Sequence, residues 1–336
     1  MNVEIKRKVS PKLKVFVAGH KGLVGSALVK ILEGMPEVHV FVAGREELDL
    51  SDRHQVETFF QANLFDQIYL AAGKVGGINA NRSLPANFIF ENSMIAINVI
   101  DAAFKAGTKK LLYLGSNCMY PRNASHPITE EMILHGPPEQ TNEAYAIAKI
   151  LGLKMCESYM AQFGVDMSLD FRAVVPTSLY GPNDNYDRDN SHVVAGLIRK
   201  FHEAKEGGLK SVQIWGTGKP FREFLFVDDL AEACVFVMNL PRDEYQKVLK
   251  DKSQHVIVGS NEEMKISDLA FLIKDVVGFE GDIEFLTTMP DGIPRKLLDS
   301  QRIRSLGWSP THSLKTGLVI TYNHYLSAIR LGTQRD

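Results

Sequence analysis

Lys14-Val15-Phe16-Val17-Ala18-Gly19-His20-Lys21-Gly22-Leu23-Val24-Gly25 reads as a short apolar strand, a glycine-rich turn and the opening of a helix whose spacing runs through Leu32. Glycine permits the tight turn and the close approach of backbone to a ligand, and the helix N-terminus then faces an anion such as a pyrophosphate. A glycine triplet alone is a weak sign and is often only a turn or a packing contact. Its place between strand and helix makes it a dinucleotide-binding signature. Further apolar β-type runs cover residues 38–43, 67–72, 110–114 and 165–173. Gly44-Arg45, Gly73-Lys74-Val75-Gly76-Gly77, Gly115-Ser116 and Val174-Val175-Pro176 follow them in turn. Helical patterns such as 93–106 and 142–163 separate the runs, so the chain predicts parallel β-α-β units in a doubly wound α/β sheet of Rossmann type. Ligands bind beyond the carboxyl ends of such strands, where the glycine turn, Arg45, Gly73 and Ser116 all fall.

Beyond Pro176 the pattern loosens. Residues 180–190 are loop-forming, Ser191 can cap a helix running to about 204, 213–218 reads as strand and turn, and 224–229 as a strand before another helix. The expected organisation is a nucleotide-binding domain over 12–175, with 224–258 returning to it. A smaller C-terminal α/β lobe over 176–223 and 259–330 would take the substrate.

The 336 residues, 45% hydrophobic and 23% charged, suit a globular protein with a large core. A net charge of -2 gives no sign of a nucleic-acid partner, so any anionic ligand must be held by local positive charge. The polar N-terminus, residues 1–12, lacks the apolar run of a signal peptide, and no stretch is long enough to span a bilayer. Cys118, Cys156 and Cys234 show neither pairing nor metal-ligand spacing, so the expectation is a cytoplasmic protein with reduced thiols and no metal.

Tyr145 and Lys149 stand four residues apart, hence on one helix face, where an ammonium can lower a phenol's pKa. Tyr-x-x-x-Lys is common on helices, but Ser116 from another segment could hold a carbonyl beside that phenol. The set suits hydride transfer to a ketone. For the cofactor, an acid near the end of the second strand would take the ribose 2′-hydroxyl of NAD; Arg45 stands there instead and suits the 2′-phosphate of NADP(H). Glu46 and Glu47 read as the start of a helix, where acids are favourable. Cys118 as a small buried hydrophobe and His192 as a polar residue in the first turn of a helix remain open readings on the residues alone. His54 and His202 lie in charged helical segments and read as solvated.

Together the glycine loop, Ser116 and Tyr145-x-x-x-Lys149 resemble the extended short-chain dehydrogenase/reductases. Residues 69–78, 114–121, 141–149, 176–182, 190–192, 222–228 and 290–299 resemble the GDP-L-fucose synthase family among them. That resemblance implies an NADPH-dependent enzyme that epimerises C3 and C5 of GDP-4-keto-6-deoxy-D-mannose and reduces C4. Tyr145 would donate the proton, Lys149 orient the nicotinamide ribose, Ser116 polarise the ketone, and Cys118 and His192 move the protons at C3 and C5. It implies a cofactor pocket from Gly19 through Gly25 with Arg45, Asp49, Leu50, Ala71, Ala72, Leu114, Gly115, Ser116, Asn117, Lys149, Pro176, Thr177, Ser178, Leu179 and His192. Lys200, Trp215, Arg222 and Asp291 would hold the GDP-linked 4-keto sugar, and the chain would form a homodimer through helices of the cofactor lobe.

Asn117 stands where the family commonly has a second serine, and Lys200 replaces a frequent arginine. A 4,6-dehydratase would carry an acid where Asn117 and Cys118 stand, and a UDP-hexose 4-epimerase an acid near Arg45. A reductase without epimerisation, or one acting on another GDP-4-keto sugar such as a dideoxy-hexose or heptose, is the nearest alternative. A non-enzymatic NADP-binding regulator would commonly lose Tyr145 or Lys149. Arg45→Ala should raise the apparent constant for NADPH far more than for NADH in initial-rate assays; equal effects would remove the argument.

Overall fold

The computed structural model describes residues 12–188, 190–249, 253–289 and 291–333, so the reading of the N-terminal 1–11 lies outside the described residues. The strands are β1 (Leu13–Ala18), β2 (Val38–Phe41), β3 (Gln67–Leu70), β4 (Lys110–Leu114), β5 (Asp170–Pro176), β6 (Ser178–Tyr180), β7 (Ser211–Trp215), β8 (Phe221–Phe226), β9 (His255–Val258), β10 (Glu263–Lys265), β11 (Asp282–Leu286) and β12 (Arg295–Lys296). Helices through the first half are α1 (Leu23–Glu33), α2 (Arg53–Ala62), α3 (Ile78–Ser83), α4 (Pro85–Lys105) and α5 (Glu143–Phe163). Those of the second half are α6 (Val193–Glu206), α7 (Val227–Asn239), α8 (Arg242–Val248), α9 (Ile266–Val277), α10 (Gln301–Ser305) and α11 (Leu314–Leu331).

Six strands form one parallel sheet in the order β2-β1-β3-β4-β5-β9. Alternate side chains leave each strand on opposite faces, and both faces are apolar, as a buried parallel sheet requires. Phe16, Ile68, Leu111 and Phe171 pack on the side of α2, α4 and α5. Val15, Val17, Leu112 and Val174 pack with α1 and α7 on the other. The order reverses between β1 and β3, which places a crevice at their carboxyl ends.

Several boundaries differ from the sequence reading. The fifth strand begins only at Asp170, because Val165 is exposed and Ser168 takes a left-handed φ of 53°, closing a turn before it. Glu46 and Glu47 do not start a helix. Residues 44–48 form an isolated turn, with the Glu47 carboxylate accepting from Gly44 N at 3.0 Å, and α2 waits for its cap at Asp52. His192, not Ser191, is the N-cap of α6. β8, grouped by sequence with the returning segment, pairs with β6, β10 and β12 instead, whereas α7 packs on α1 and β9 is the sixth strand of the large sheet. His202 is half-buried rather than solvated, bonded to the Tyr322 hydroxyl at 3.1 Å, and burial lowers its pKa.

The second body is built on β6–β8 and β10–β12 with α6, α9 and α11, around Phe201, Phe224, Phe226, Ile273 and Leu318. One charged pair ties the large sheet to α7. The fully buried Arg172 guanidinium donates twice to Asp170, at 2.8 and 2.6 Å, and also to the carbonyls of Val237 and Leu240 at the end of α7. Removing one partner of such a pair leaves a buried charge uncompensated. Arg172→Leu should lower the unfolding free energy by roughly 3–5 kcal/mol in urea titrations, since Asp170 keeps only the looser Lys110, 3.9 Å away.

Candidate active site

Gly19 holds a φ of 88°, and a Cβ there would stand 2.7 Å from Ala72 Cα. A Cβ on Gly25 would run into the Gly19 carbonyl. The two glycines therefore let the turn after β1 lie against Ala71-Ala72 while α1 packs close behind it. Gly22, the N-cap of α1, makes no side-chain cap, and the first turn carries no acid. The first N–H groups of α1 are thus open to an anion at the helix's positive end, a fit to a pyrophosphate. Arg45 lies in the turn that follows β2, with its side chain 72% exposed, 3.7 Å from Asp49 and 3.6 Å from Glu91. A phosphate can reach a guanidinium so placed. Leu114, Gly115 and Pro176 continue the line of strand ends, Thr177 donates to the Glu223 carbonyl at 3.2 Å, and Ser178 and Leu179 enter β6. Asp49 accepts from both Ser51 N and Ser51 Oγ and so shapes the turn that carries Leu50.

Ser116 leaves β4 as the N-cap of a single 3-10 turn, Asn117–Met119, its hydroxyl accepting from Cys118 N at 3.3 Å. The same hydroxyl stands close enough to the Tyr145 phenol to favour its ionised form. Lys149, one turn further along α5, is only 5% exposed; Nζ donates to Leu114 O at 2.9 Å and stands 5.9 Å from the Tyr145 ring centre. Cys118 is half-buried, and its sulfur accepts from Asn142 Nδ2 at 3.1 Å. Four of the five candidate catalytic side chains thus meet where β4 ends against the start of α5.

His192 is not in contact with them in any bond among the described residues. Its exposed ring sits at the N-cap of α6, joined to the rest through backbone. Gly77 N donates to Asn190 O at 2.9 Å, which lays the segment before His192 on the 73–77 loop. At the other end of that loop, a Cβ on Gly73 would lie 2.8 Å from Asn92 Oδ1 and 3.5 Å from Lys149 Nζ.

The electrostatics depart from one expectation. Burial, reinforced by Cys118 and only partly offset by the nearby Ser116 hydroxyl, pushes the Tyr145 phenol well above its ordinary pKa, and Lys149 contributes no lowering. The ammonium is engaged by a carbonyl rather than by the phenol oxygen, so desolvation wins. Tyr145 therefore starts protonated, as a proton donor must. Burial brings Lys149 down to about 8.

On the second body, Trp215 is 64% exposed at the end of β7, with Lys200 Nζ 5.7 Å from its ring centre. Burial lowers the pKa of Lys200 and of Arg222. Arg222 donates to the Phe221 carbonyl at 2.7 Å. Asp291 is engaged locally, accepting from Thr217 N and Thr217 Oγ1 at 2.8 and 2.7 Å. Trp215, Lys200 and Arg222 offer a ring and two cations, the parts needed for a base and a diphosphate.

Three neighbours were not singled out from sequence. Asn92 is buried and bonds both Lys74 N and Lys74 O, fixing the 73–77 loop. Lys296, paired in register with Arg222, feels the charges of Cys118 and Arg222. Asn142 holds the Cys118 sulfur. The only sequence signal for Asn142 was its place three residues before Tyr145.

Lys149 also makes a measurable signature. Its folded-state pKa lies below the ordinary lysine value, so between about pH 8 and 10 the folded chain sheds a proton that the unfolded chain keeps, and this group's contribution to stability rises with pH. In urea titrations the difference in unfolding free energy between the parent and Lys149→Met should grow in the parent's favour across that window, by up to about 2 kcal/mol. A flat difference would mean that the ammonium is not desolvated.

The family model for the NAD dependent epimerase/dehydratase family matches residues 15–250. GDP-L-fucose synthase 1 of Arabidopsis thaliana is 48% identical over 326 residues, covering 97% of this chain and 97% of that protein. GDP-L-fucose synthase of Escherichia coli strain K12 is 47% identical over 315 residues, covering 94% and 97%. A GDP-mannoheptose C4 reductase from Campylobacter jejuni with NADP bound superposes with a TM-score of 0.84 at 36% identity, covering 94% of this chain and 98% of that one. No group of His, Cys, Asp or Glu among the described residues could hold a metal ion, and no helix there is long and apolar enough to cross a membrane. With a Rossmann-type sheet, a Ser-Tyr-Lys cluster at its strand ends and relatives matched along nearly their whole length, the chain belongs to the NAD dependent epimerase/dehydratase family and, within it, to the GDP-L-fucose synthases.

Proposed function

We propose that this chain converts GDP-4-keto-6-deoxy-D-mannose to GDP-L-fucose with NADPH, by epimerisation at C3 and C5 followed by reduction of the C4 ketone. The observation that carries the proposal is the meeting of Ser116, Tyr145, Lys149 and Cys118 at the end of β4, in a chain of this family. The open N-terminus of α1 and the exposed Arg45 are the groups that would hold the dinucleotide. Bound there, the reduced nicotinamide supplies hydride.

Hydrogens beside a ketone are acidic because the carbon's electron pair delocalises onto the carbonyl oxygen. Ser116 and Tyr145 donate to that oxygen and stabilise the charge as it develops. Cys118 and His192 serve as acid and base at the two carbons, since thiol and imidazole both exchange protons near neutrality. Tyr145 gives its proton to the C4 oxygen in the reduction, and Lys149 orients the ribose beside it. Trp215 stacks on the guanine, Lys200 and Arg222 face the diphosphate, and Asp291 orders the Thr217 turn at its edge.

A homodimer, formed through α4 and α5, is part of the proposal. These helices pack side by side and expose Phe90 and Ile147. So is a cytoplasmic setting, supported by three free thiols.

Incubation with the keto sugar in deuterium oxide should label C3 and C5, and NADPH should be oxidised with a product of L-fuco configuration. Tyr145→Phe should reduce NADPH oxidation by about a hundredfold or more while leaving measurable label uptake. A product labelled at neither carbon would make the chain a C4 reductase, and inertness toward every GDP-4-keto sugar would end the enzymatic reading.

A further inference from the structure

Two asparagine amides grip the sulfur of Cys118. Asn142 Nδ2 donates to Sγ at 3.1 Å, and the thiol in turn donates to Asn117 Oδ1 at 3.7 Å, a longer contact that favours the protonated sulfur and that the Asn142 bond opposes. Asn142 is the N-cap of α5, a position where an asparagine ordinarily bonds the first-turn N–H groups, but its side chain makes no capping bond. Its Oδ1 is buried and accepts no hydrogen bond among the described residues. An amide that gives up the cap and leaves its own oxygen unsatisfied is poorly explained by helix stability, and such buried exceptions ask for another role.

We propose that Asn142 is the positioning residue for Cys118, its amide N–H aiming the sulfur and favouring the thiolate over the thiol. This rests on the reading of Cys118 as an acid–base group in the epimerisation. The sign follows from the donor: a sulfur anion accepts an N–H bond more strongly than a neutral thiol does, so the bond is worth more once the proton has left. The N-terminal end of α5 adds its partial positive charge.

The charged and titratable groups around the sulfur come from three elements. Tyr145 on α5 interacts with the thiol and is neutral at working pH. Lys296 on β12 interacts with it as a cation, and Arg222 on β8 and Glu139 before α5 act on Lys296 in turn, with opposite signs. Ser116 bonds the Cys118 amide, not the sulfur. Asn142 is therefore the one donor with a direct bond to Sγ among the described residues. In the epimerisation, the thiolate takes the proton from a carbon beside the ketone, the C–H electron pair passes to the carbonyl oxygen, and His192 as the acid returns a proton to the opposite face while the first proton stays on the sulfur.

The test is the pH profile of Cys118 alkylation by iodoacetamide on the intact enzyme, mapped by mass spectrometry. Cys156 and Cys234 are buried, so the native protein reports Cys118. At pH 7, alkylation should slow about tenfold in Asn142→Ala and further in the isosteric Asn142→Asp, while at pH 10 the rates converge with the parent's. Deuterium uptake at C3 and C5 should fall in parallel, with NADPH affinity unchanged. Equal or faster alkylation at pH 7 in Asn142→Ala would overturn the proposal whatever Asn142→Asp does, because an added carboxylate slows the reaction by its charge alone. Should Asn142→Ala fail to fold, the uncharged and near-isosteric Asn142→Leu decides. Cys118→Ala separates the two claims: retained deuterium uptake there defeats the acid–base reading of Cys118, whereas lost uptake with unaltered alkylation in the Asn142 variants defeats this inference alone.

Discussion

A lysine ammonium shut away from water has to be given acceptors, and the active end of this molecule is arranged around that demand. Lys149 finds its acceptor in the carbonyl of Leu114, the last residue of the central strand β4. The bond fixes α5 against the sheet at the level where Ser116 leaves it. The same helix brings Tyr145 and, at its beginning, Asn142 to the 3-10 turn that follows β4. Tyr113 closes the other side, its hydroxyl donating to the Lys149 carbonyl at 3.1 Å with its ring 5.3 Å from the ammonium. The phenol, the serine and the thiol take their places from a strand end and a helix face that could not shift without stranding a buried charge.

Five of the parallel sheet's six strands were legible because each is an apolar run followed by a glycine or proline, and both faces had to be covered; β9 was expected only as part of a returning segment. The meeting of Ser116, Tyr145 and Lys149, the proposed catalytic cluster, was legible for a related reason. Ser116 stands at a strand end, and Tyr145 and Lys149 share a helical repeat, so local spacing carries their geometry. What stayed hidden depends on contacts far apart in the chain. Nothing near Glu47 says that its carboxylate turns back to Gly44 instead of opening a helix, since an acid suits both places. The exchange of β8 into the smaller sheet is decided by partners at β6, β10 and β12, drawn from segments before and after it. Likewise Tyr145 and Lys149 were legible as neighbours, but the balance of their protonation was not, because burial is a property of the packed whole.

A second buried charge organises the smaller body. Glu223, fully buried beside Arg222, accepts from Asn261 N at 2.7 Å and Leu298 N at 3.3 Å. Burial raises its carboxyl pKa. Two loops from different parts of the chain are thereby held to one strand, and Arg222 and Lys296 gain a fixed separation across paired strands. The result resembles the arrangement around Lys149: an ionisable group in the interior gathers backbone from distant segments and leaves neighbouring cations presented on a rigid frame.

The two tryptophans divide the molecule's light emission between two environments. Trp308 is 6% exposed among aliphatic side chains, and Trp215 is 64% exposed beside a lysine. An indole in water emits further to the red than one in an apolar interior, so the long-wavelength part of the spectrum belongs to Trp215. A purine laid on that ring quenches it and leaves the short-wavelength part intact. If the base of the substrate stacks there as proposed, the chain carries an intrinsic optical gauge of nucleotide occupancy, with its own internal reference.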